Sequence, residues 1–89
     1  MVTNKQVVAL TGVWPVLDAV FDERMRQIAK WGDQHHDNGF WLAVLGEEFG
    51  EVARAMLKQK DGEQSIDIIE ELTQCAAVCC AWIEDLTRD

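Results

Sequence analysis

Three carboxylates crowd one edge of a helical stretch in the sequence GEEFGEVARAML. At about 100° per residue, Glu47, Glu51 and Glu48 fall in that order within an arc of roughly 100°. Like charges at this spacing repel and cost helix stability, so the grouping calls for a counter-charge. Further along, Glu70, Glu71 and Gln74 repeat the spacing of Glu47, Glu48 and Glu51. Facing carboxylates on two helices suit a hard cation, since Mg²⁺ takes oxygen ligands at about 2.1 Å and keeps some of its waters. Ions held this way neutralise a triphosphate and polarise its phosphorus. One Glu-rich helix is more often only a solvated face. Two matched acidic edges, each beside an apolar stripe, make metal binding an equal contender.

The elements that must position these acids are helices. Pro15 suits a first helical turn, where its missing N–H is not needed, and Leu17, Phe21, Met25 and Ile28 recur at helical spacing. They predict a first helix from about Trp14 to Lys30 with that stripe buried and Gly32 as its stop. Residues 1–12 leave a short strand, an arm on a partner and a flexible tail open. After the polar loop GDQHHDNG, a second helix is expected from Phe40 or Trp41 to about Lys58, with Leu45, Phe49, Val52 and Met56 as its stripe. KDGEQS is the next turn, and Ser65 is a fair N-cap for a third helix to about Leu86. The short turn makes the second and third helices antiparallel neighbours, so their acidic edges face across one groove. The middle of the third, LTQCAAVCCAWI, is apolar nearly all round and needs cover on several sides. We therefore expect one all-α domain over residues 1–89: a helical hairpin with a carboxylate-lined groove plus an N-terminal helix. Homo-oligomerisation, as a dimer or tetramer, would complete a four-helix-type bundle.

The totals narrow the partners. With 16 acidic against 8 basic side chains the formal net charge is −8, which repels nucleic-acid polymers. A small phosphorylated ligand remains open if a divalent cation bridges the two negative partners. Cys75, Cys79 and Cys80 fit neither a zinc spacing nor a disulfide framework. They read as free thiols packed as small hydrophobes in a reducing cytoplasm. No apolar run reaches the roughly 20 residues of a membrane span, and the start lacks a signal-peptide core and cleavage site.

On these residues the chain resembles the all-α nucleoside triphosphate pyrophosphohydrolases, the MazG-like group that includes dimeric dUTPases and dCTPases. Their signature is E-E-x-x-E, a spacer, then E-x-x-D. Here EEFGE gives Glu47, Glu48 and Glu51, residues 52–70 are the spacer, and ELTQ gives Glu71 and Gln74. The block MRQIAKWGDQHHDNGFWLAVLGEE is similar to small phage and mobile-element members, and the likeness covers most of residues 20–86. The resemblance implies Mg²⁺-dependent hydrolysis between the α and β phosphates, giving a monophosphate and pyrophosphate. It implies Glu48, Glu51, Glu71 and Gln74 as metal ligands, Glu47 as the group that orients or deprotonates the attacking water, and a homo-oligomer. Gln74 departs from the family's Asp: a neutral amide ligates more weakly than a carboxylate. That departure, with the small size, keeps a rival expectation in view, a non-catalytic helical oligomer that binds a nucleotide or a protein partner.

Other residues carry two readings each. Trp31 and Trp41 bracket the loop before the glutamates, either as a stacking wall for a nucleobase or as packing; Trp14 and Trp82 read as packing. Lys30 and Arg54 could touch phosphates, and Arg54 could equally pair with Glu51 on the helix surface. His35 and His36, with Asp33 and Asp37, offer transition-metal ligands but read as solvated loop residues. Gly46 and Gly50 each cost about 1 kcal/mol against Ala, which close helix approach or room for a ligand would justify.

Overall fold

The computed structural model describes residues 3–59 and 66–88. They form three helices, α1 (Asn4–Trp31), α2 (Asn38–Lys58) and α3 (Ile66–Thr87), and no strand occurs among the described residues. The KDGEQS turn, with the expected cap Ser65, lies outside them.

Helix α1 starts well before the expected Trp14. Thr3 and Gln6 form a reciprocal capping box: Gln6 N–H donates to Thr3 Oγ1 at 3.2 Å and Thr3 N–H to Gln6 Oε1 at 2.8 Å. Two donors of the first turn are thereby satisfied, and the VVAL segment is helical rather than a strand. Pro15 consequently lies inside the helix and not in its first turn. Gly32 ends α1 as expected. Its φ of 70° is open to glycine, and its N–H returns to Ile28 O at 2.8 Å.

Helix α2 begins two residues before Phe40, because Asp37 caps it by accepting Phe40 N–H at 2.8 Å. At its far end Gln59 N–H donates to Met56 O at 3.2 Å.

Helix α3 packs against both α1 and α2, while among the described residues α1 and α2 do not touch at backbone level. The core is small and sits between α2 and α3: Trp41, Val78 and Ala81, flanked by Val44, Leu45 and Trp82. The apolar middle of α3 supplies its most enclosed residues, with Ala77 at 0% exposure. The expected stripe on α2 is only partly buried. Leu45 and Val52 are half-buried, but Phe49 and Met56 are exposed, and Trp41 and Ala55 take the enclosed positions.

The expected buried stripe of α1 faces outward. Leu17, Phe21, Met25 and Ile28 are all exposed, Phe21 at 63%, and so is Trp14 at 60%. The polar face of α1 lies on α3 instead, because Arg24 finds a carboxylate there. Its Nε donates to Glu84 Oε2 at 2.7 Å and Nη2 to Glu84 Oε1 at 2.8 Å. The molecule is accordingly open: its radius of gyration is 15.5 Å, against about 12 Å for a compact chain of this length.

Candidate functional site

The gap between α1 and α2 is a cleft of about 700 Å³ with α3 as its floor. From α1 come Glu23, Arg24, Arg26, Gln27, Lys30 and Trp31. The spacing of Glu23, Gln27 and Lys30 places them on one helix face. The connecting loop adds Asp33, Gln34 and His36, and α2 adds Phe40, Trp41, Val44 and Glu48. Gln74, Val78 and Ala81 form the floor, and Arg88 closes one end. Glu48 also lines a smaller acidic hollow on α2 with Glu47, Gly50, Glu51 and Arg54. It is thus the residue common to both concavities.

Glu48 is the electrostatic centre of the site. Burial pushes its carboxyl above the ordinary range, and the charges of Glu71, Glu51, Glu23 and Glu47, in that order, push it further. Its Oε2 is fully enclosed and has no hydrogen-bond partner among the described residues. An enclosed, unpaired carboxylate oxygen among four like charges is costly. The charges of both predicted acidic edges therefore meet here, with Glu48 from α2 and Glu71 from α3. The remaining members differ in setting. Glu47 is exposed, Glu51 and Glu71 are half-buried, and Gln74 is half-buried at the cleft floor. Among the described residues no three His, Cys, Asp or Glu side chains stand close enough to enclose a metal ion. The donor set fits a hard divalent cation nonetheless: it is all oxygen, and Glu48 Oε2 lacks any other partner.

Glu23 is the acid that the sequence pattern missed. It is only 9% exposed, the one buried charged residue among those described, and it is ion-paired through Oε1 with Arg26 one turn on. The available signal was its place on the polar face with Gln27 and Lys30, a face that looks solvated until α3 is packed beside it. Arg24 fixes that placement, since Nη1 also donates to Gln27 Oε1 at 2.8 Å. The fork to Glu84 raises the Arg24 pKa and holds the Glu84 carboxyl below its usual range.

The candidate ligand contacts divide. Trp41 lines the cleft but is 3% exposed, and its indole N–H donates to Asp85 Oδ2 at 2.8 Å. Trp31 is 56% exposed on the same cleft, with Lys30 Nζ 4.6 Å from its ring centre, a cation–π distance. Lys30 therefore sits at the cleft, whereas Arg54 sits on the smaller hollow, 3.4 Å from Glu51. Trp82 packs on the core and donates to Asn38 Oδ1 at 2.9 Å.

The histidines are engaged rather than simply solvated. The His36 ring packs on Phe40 at 4.0 Å and edge-on to Trp41 at 5.2 Å. His35 Nδ1 lies 3.1 Å from Asp85 and Nε2 lies 3.2 Å from Asp33. A neutral imidazole can donate to only one of these and the charged ring to both. Asp85 further accepts His36 N–H at 2.9 Å, and Arg88 pairs with Asp33. Asp85 thereby ties the loop and the start of α2 to the end of α3, and these bonds hold its carboxyl below the usual range.

An added Cβ at Gly46 or Gly50 would meet nothing within 4 Å. Close helix approach within one chain does not account for them, and Gly50 borders the acidic hollow. The three cysteines are free and half-buried, with burial raising the Cys75 thiol pKa ahead of the effect of Cys79 and Glu48. No helix among the described residues is long and apolar enough to cross a membrane. No family model matches this chain, and no curated protein or solved structure matches it.

Proposed function

We propose that the protein is a Mg²⁺-dependent nucleoside triphosphate pyrophosphohydrolase that releases a monophosphate and pyrophosphate. The observation that carries this reading is the enclosed, unpartnered oxygen of Glu48, surrounded by the charges of Glu71, Glu51, Glu23 and Glu47, on a side chain that lines a cleft of about 700 Å³. That volume is in the range of small-molecule sites. The likeness of the glutamate spacing to MazG-like enzymes supports the same reading.

Glu48, Glu51 and Glu71 would hold the cation, with Gln74 as a weaker neutral ligand. When bound, the cation neutralises the phosphates and makes a coordinated water more acidic. Glu47 stays exposed at the rim of the hollow, where a carboxylate can orient a water and take its proton. Lys30 and Arg54 offer positive charge to phosphate oxygens from the cleft and the hollow. Trp31 presents a free ring face at the cleft for a base. The outward stripe of Leu17, Phe21, Met25 and Ile28 favours a homo-oligomer, since a patch of this kind marks an interaction surface. Free thiols suit a reducing cytoplasm.

The deciding experiment measures pyrophosphate release from a panel of ordinary and modified nucleoside triphosphates, with Mg²⁺ and with EDTA. Mg²⁺-dependent release lost in Glu48→Gln is the expected result. No release from any nucleotide, or equal turnover by both proteins, overturns the hydrolase. The neutral Gln74 favours one alternative, a non-catalytic oligomer that binds a nucleotide or a protein partner. Calorimetry showing tight nucleotide binding with no product would select it.

A further inference from the structure

We infer that the face of the α2–α3 hairpin turned away from the cleft docks a second copy of this chain, with α3 pairing antiparallel to its own equivalent. This contact is independent of the hydrolase reading and separate from the exposed α1 stripe. Along α3, Ile69, Leu72, Ala76, Cys79, Ile83 and Leu86 alternate steps of three and four residues, which keeps them in one stripe. At about 100° per residue that stripe lies opposite Gln74, Val78 and Ala81, the cleft floor. On α2, Leu42, Phe49 and Met56 recur every seven residues, on the flank away from the cleft-lining Val44 and Glu48. The two helices run antiparallel, with Trp41 tied to Asp85, so both stripes fall on the same side of the hairpin. Ile69, Leu72, Ile83, Leu86, Leu42, Phe49 and Met56 are all between 51% and 69% exposed. Their combined area is of the order of the roughly 800 Å² per partner of a standard stable interface.

The α3 stripe is its own complement. Read from either end it runs large, large, small, small, large, large. Antiparallel pairing therefore sets Ile69 against Leu86 of the second copy, Leu72 against Ile83 of the second copy, and Ala76 against Cys79 of the second copy. A two-fold contact demands this symmetry, because each pair must occur twice; a foreign partner does not. The small residues at the midpoint let the helix axes approach, and the large ones close around them. Charge agrees with the same occupant. Asp67, Glu70, Glu71, Glu84 and Asp85 all fall on the other half of α3. Two copies of net charge −8 repel as wholes, and on this strip they meet with no acid opposing another. Gly46 gains a reason here. It lies between Leu42 and Phe49 on α2, and an added Cβ there meets nothing in its own chain. A helix of the second copy packed on that flank accounts for the missing side chain. The α2–α3 hairpins of the two copies then form a four-helix bundle, with both clefts open on its outside.

The test combines disulfide cross-linking with light scattering on the full chain. In a Cys75→Ser, Cys80→Ser background that keeps Cys79, Ala76→Cys sets a thiol opposite Cys79 of the second copy. Mild oxidation is expected to give a covalent dimer that dithiothreitol reverses. Adding Leu72→Glu, which sets a charge against Ile83 of the second copy, is expected to prevent the cross-link. In the otherwise natural chain the same substitution raises the dissociation constant of the pair by about 100-fold or more. Phe21→Glu, on the separate α1 stripe, leaves the cross-link in place. No cross-link from Ala76→Cys overturns the inference, as does one indifferent to Leu72→Glu or one lost with Phe21→Glu. A wild type that stays monomeric leaves this face to another protein and overturns it too. Should the cysteine variants fail to fold, Leu72→Glu alone decides: a mass unchanged from wild type overturns the contact. Neither readout involves nucleotide or metal, so the hydrolase can fail while this interface stands, and the reverse.

Discussion

The indole N–H of Trp41, in the first turn of α2, donates to Asp85 Oδ2 near the end of α3 at 2.8 Å. The same carboxylate accepts the His36 backbone N–H and faces His35. One side chain thus closes the open end of the hairpin and fixes the wall of the cleft. The opposite end is joined by the chain itself. Between these two ties Val78 and Ala81 pack with Trp41 in the core that joins α2 to α3, the two helices whose Glu48 and Glu71 charges repel.

Asp85 therefore gives the fold an acid-sensitive latch. Its carboxyl is held below the ordinary value by the His36 and Trp41 hydrogen bonds, with His35 adding to them. A group with a depressed folded pKa binds protons more readily when unfolded. Its contribution is complete above the ordinary carboxylate value of about 4 and is lost as pH falls through the lower folded value. Melting temperatures measured from about pH 6 to pH 2 should fall steeply at the acid end in wild type and less steeply in Asp85→Asn. Parallel curves for the two proteins would remove the latch.

Glu48 has the opposite sign, and that sign separates function from stability. Its folded pKa is raised, so its favourable contribution exists below the unfolded value and is lost as pH rises through the folded one. Once ionised, the group works against the fold. Glu48→Gln should melt higher than wild type at pH 7 without metal, yet lose about 100-fold or more of Mg²⁺-dependent turnover. Added Mg²⁺ should raise the melting temperature of wild type and leave the variant nearly unmoved. A variant that melts lower than wild type would contradict this account of Glu48.

The hairpin and its two acidic edges were legible in the sequence because helix period and carboxylate spacing are local properties. The capping box was also there to be read, as T-x-x-Q at Thr3 and Gln6, and would have carried α1 back to Asn4. The orientation of α1 was not legible. Its apolar stripe and its polar stripe are both well formed, and the choice between them depends on a partner elsewhere in the chain. Arg24 meets Glu84, which turns Glu23 inward and Phe21 outward. No local pattern encodes a pairing over that separation, and none marks a glutamate as buried when the arginine beside it stays at the surface.

The outward stripe of α1 leads to a prediction about assembly. Leu17, Phe21, Met25 and Ile28 are exposed along one face, with Phe21 at 63%. Phe21→Glu would place a charge in the middle of that face without touching the cleft. Light scattering coupled to size exclusion should show wild type as a dimer or larger and the variant shifted toward the monomer mass. Desolvating an unpaired carboxylate in the interface costs several kcal/mol, enough to move a micromolar association well beyond that range. An unchanged mass would mean that this stripe is not the contact between chains.

Trp31 and Trp41 bracket the same loop and line the same cleft, yet substitution should separate them completely. Trp41 is 3% exposed and central to the small core. Truncating a buried Trp to Ala costs about 3–5 kcal/mol, a large part of the roughly 5–15 kcal/mol that holds an ordinary domain together. Removing Trp41 would also leave Asp85 without its indole donor. Trp41→Ala should therefore lose cooperative unfolding or melt far lower, with activity falling as a consequence. Trp31 is 56% exposed, and the Lys30 ammonium lies over its ring. An exposed cation–π pair contributes about 0.5–1 kcal/mol, so Trp31→Ala should melt close to wild type. If its free face stacks on the ligand, the loss of about 1–3 kcal/mol of stacking emerges as a KM raised by roughly tenfold, with kcat less affected. Thermal melts and steady-state kinetics on the two variants check both halves. A Trp31→Ala protein with unaltered KM would take the nucleobase away from this wall of the cleft.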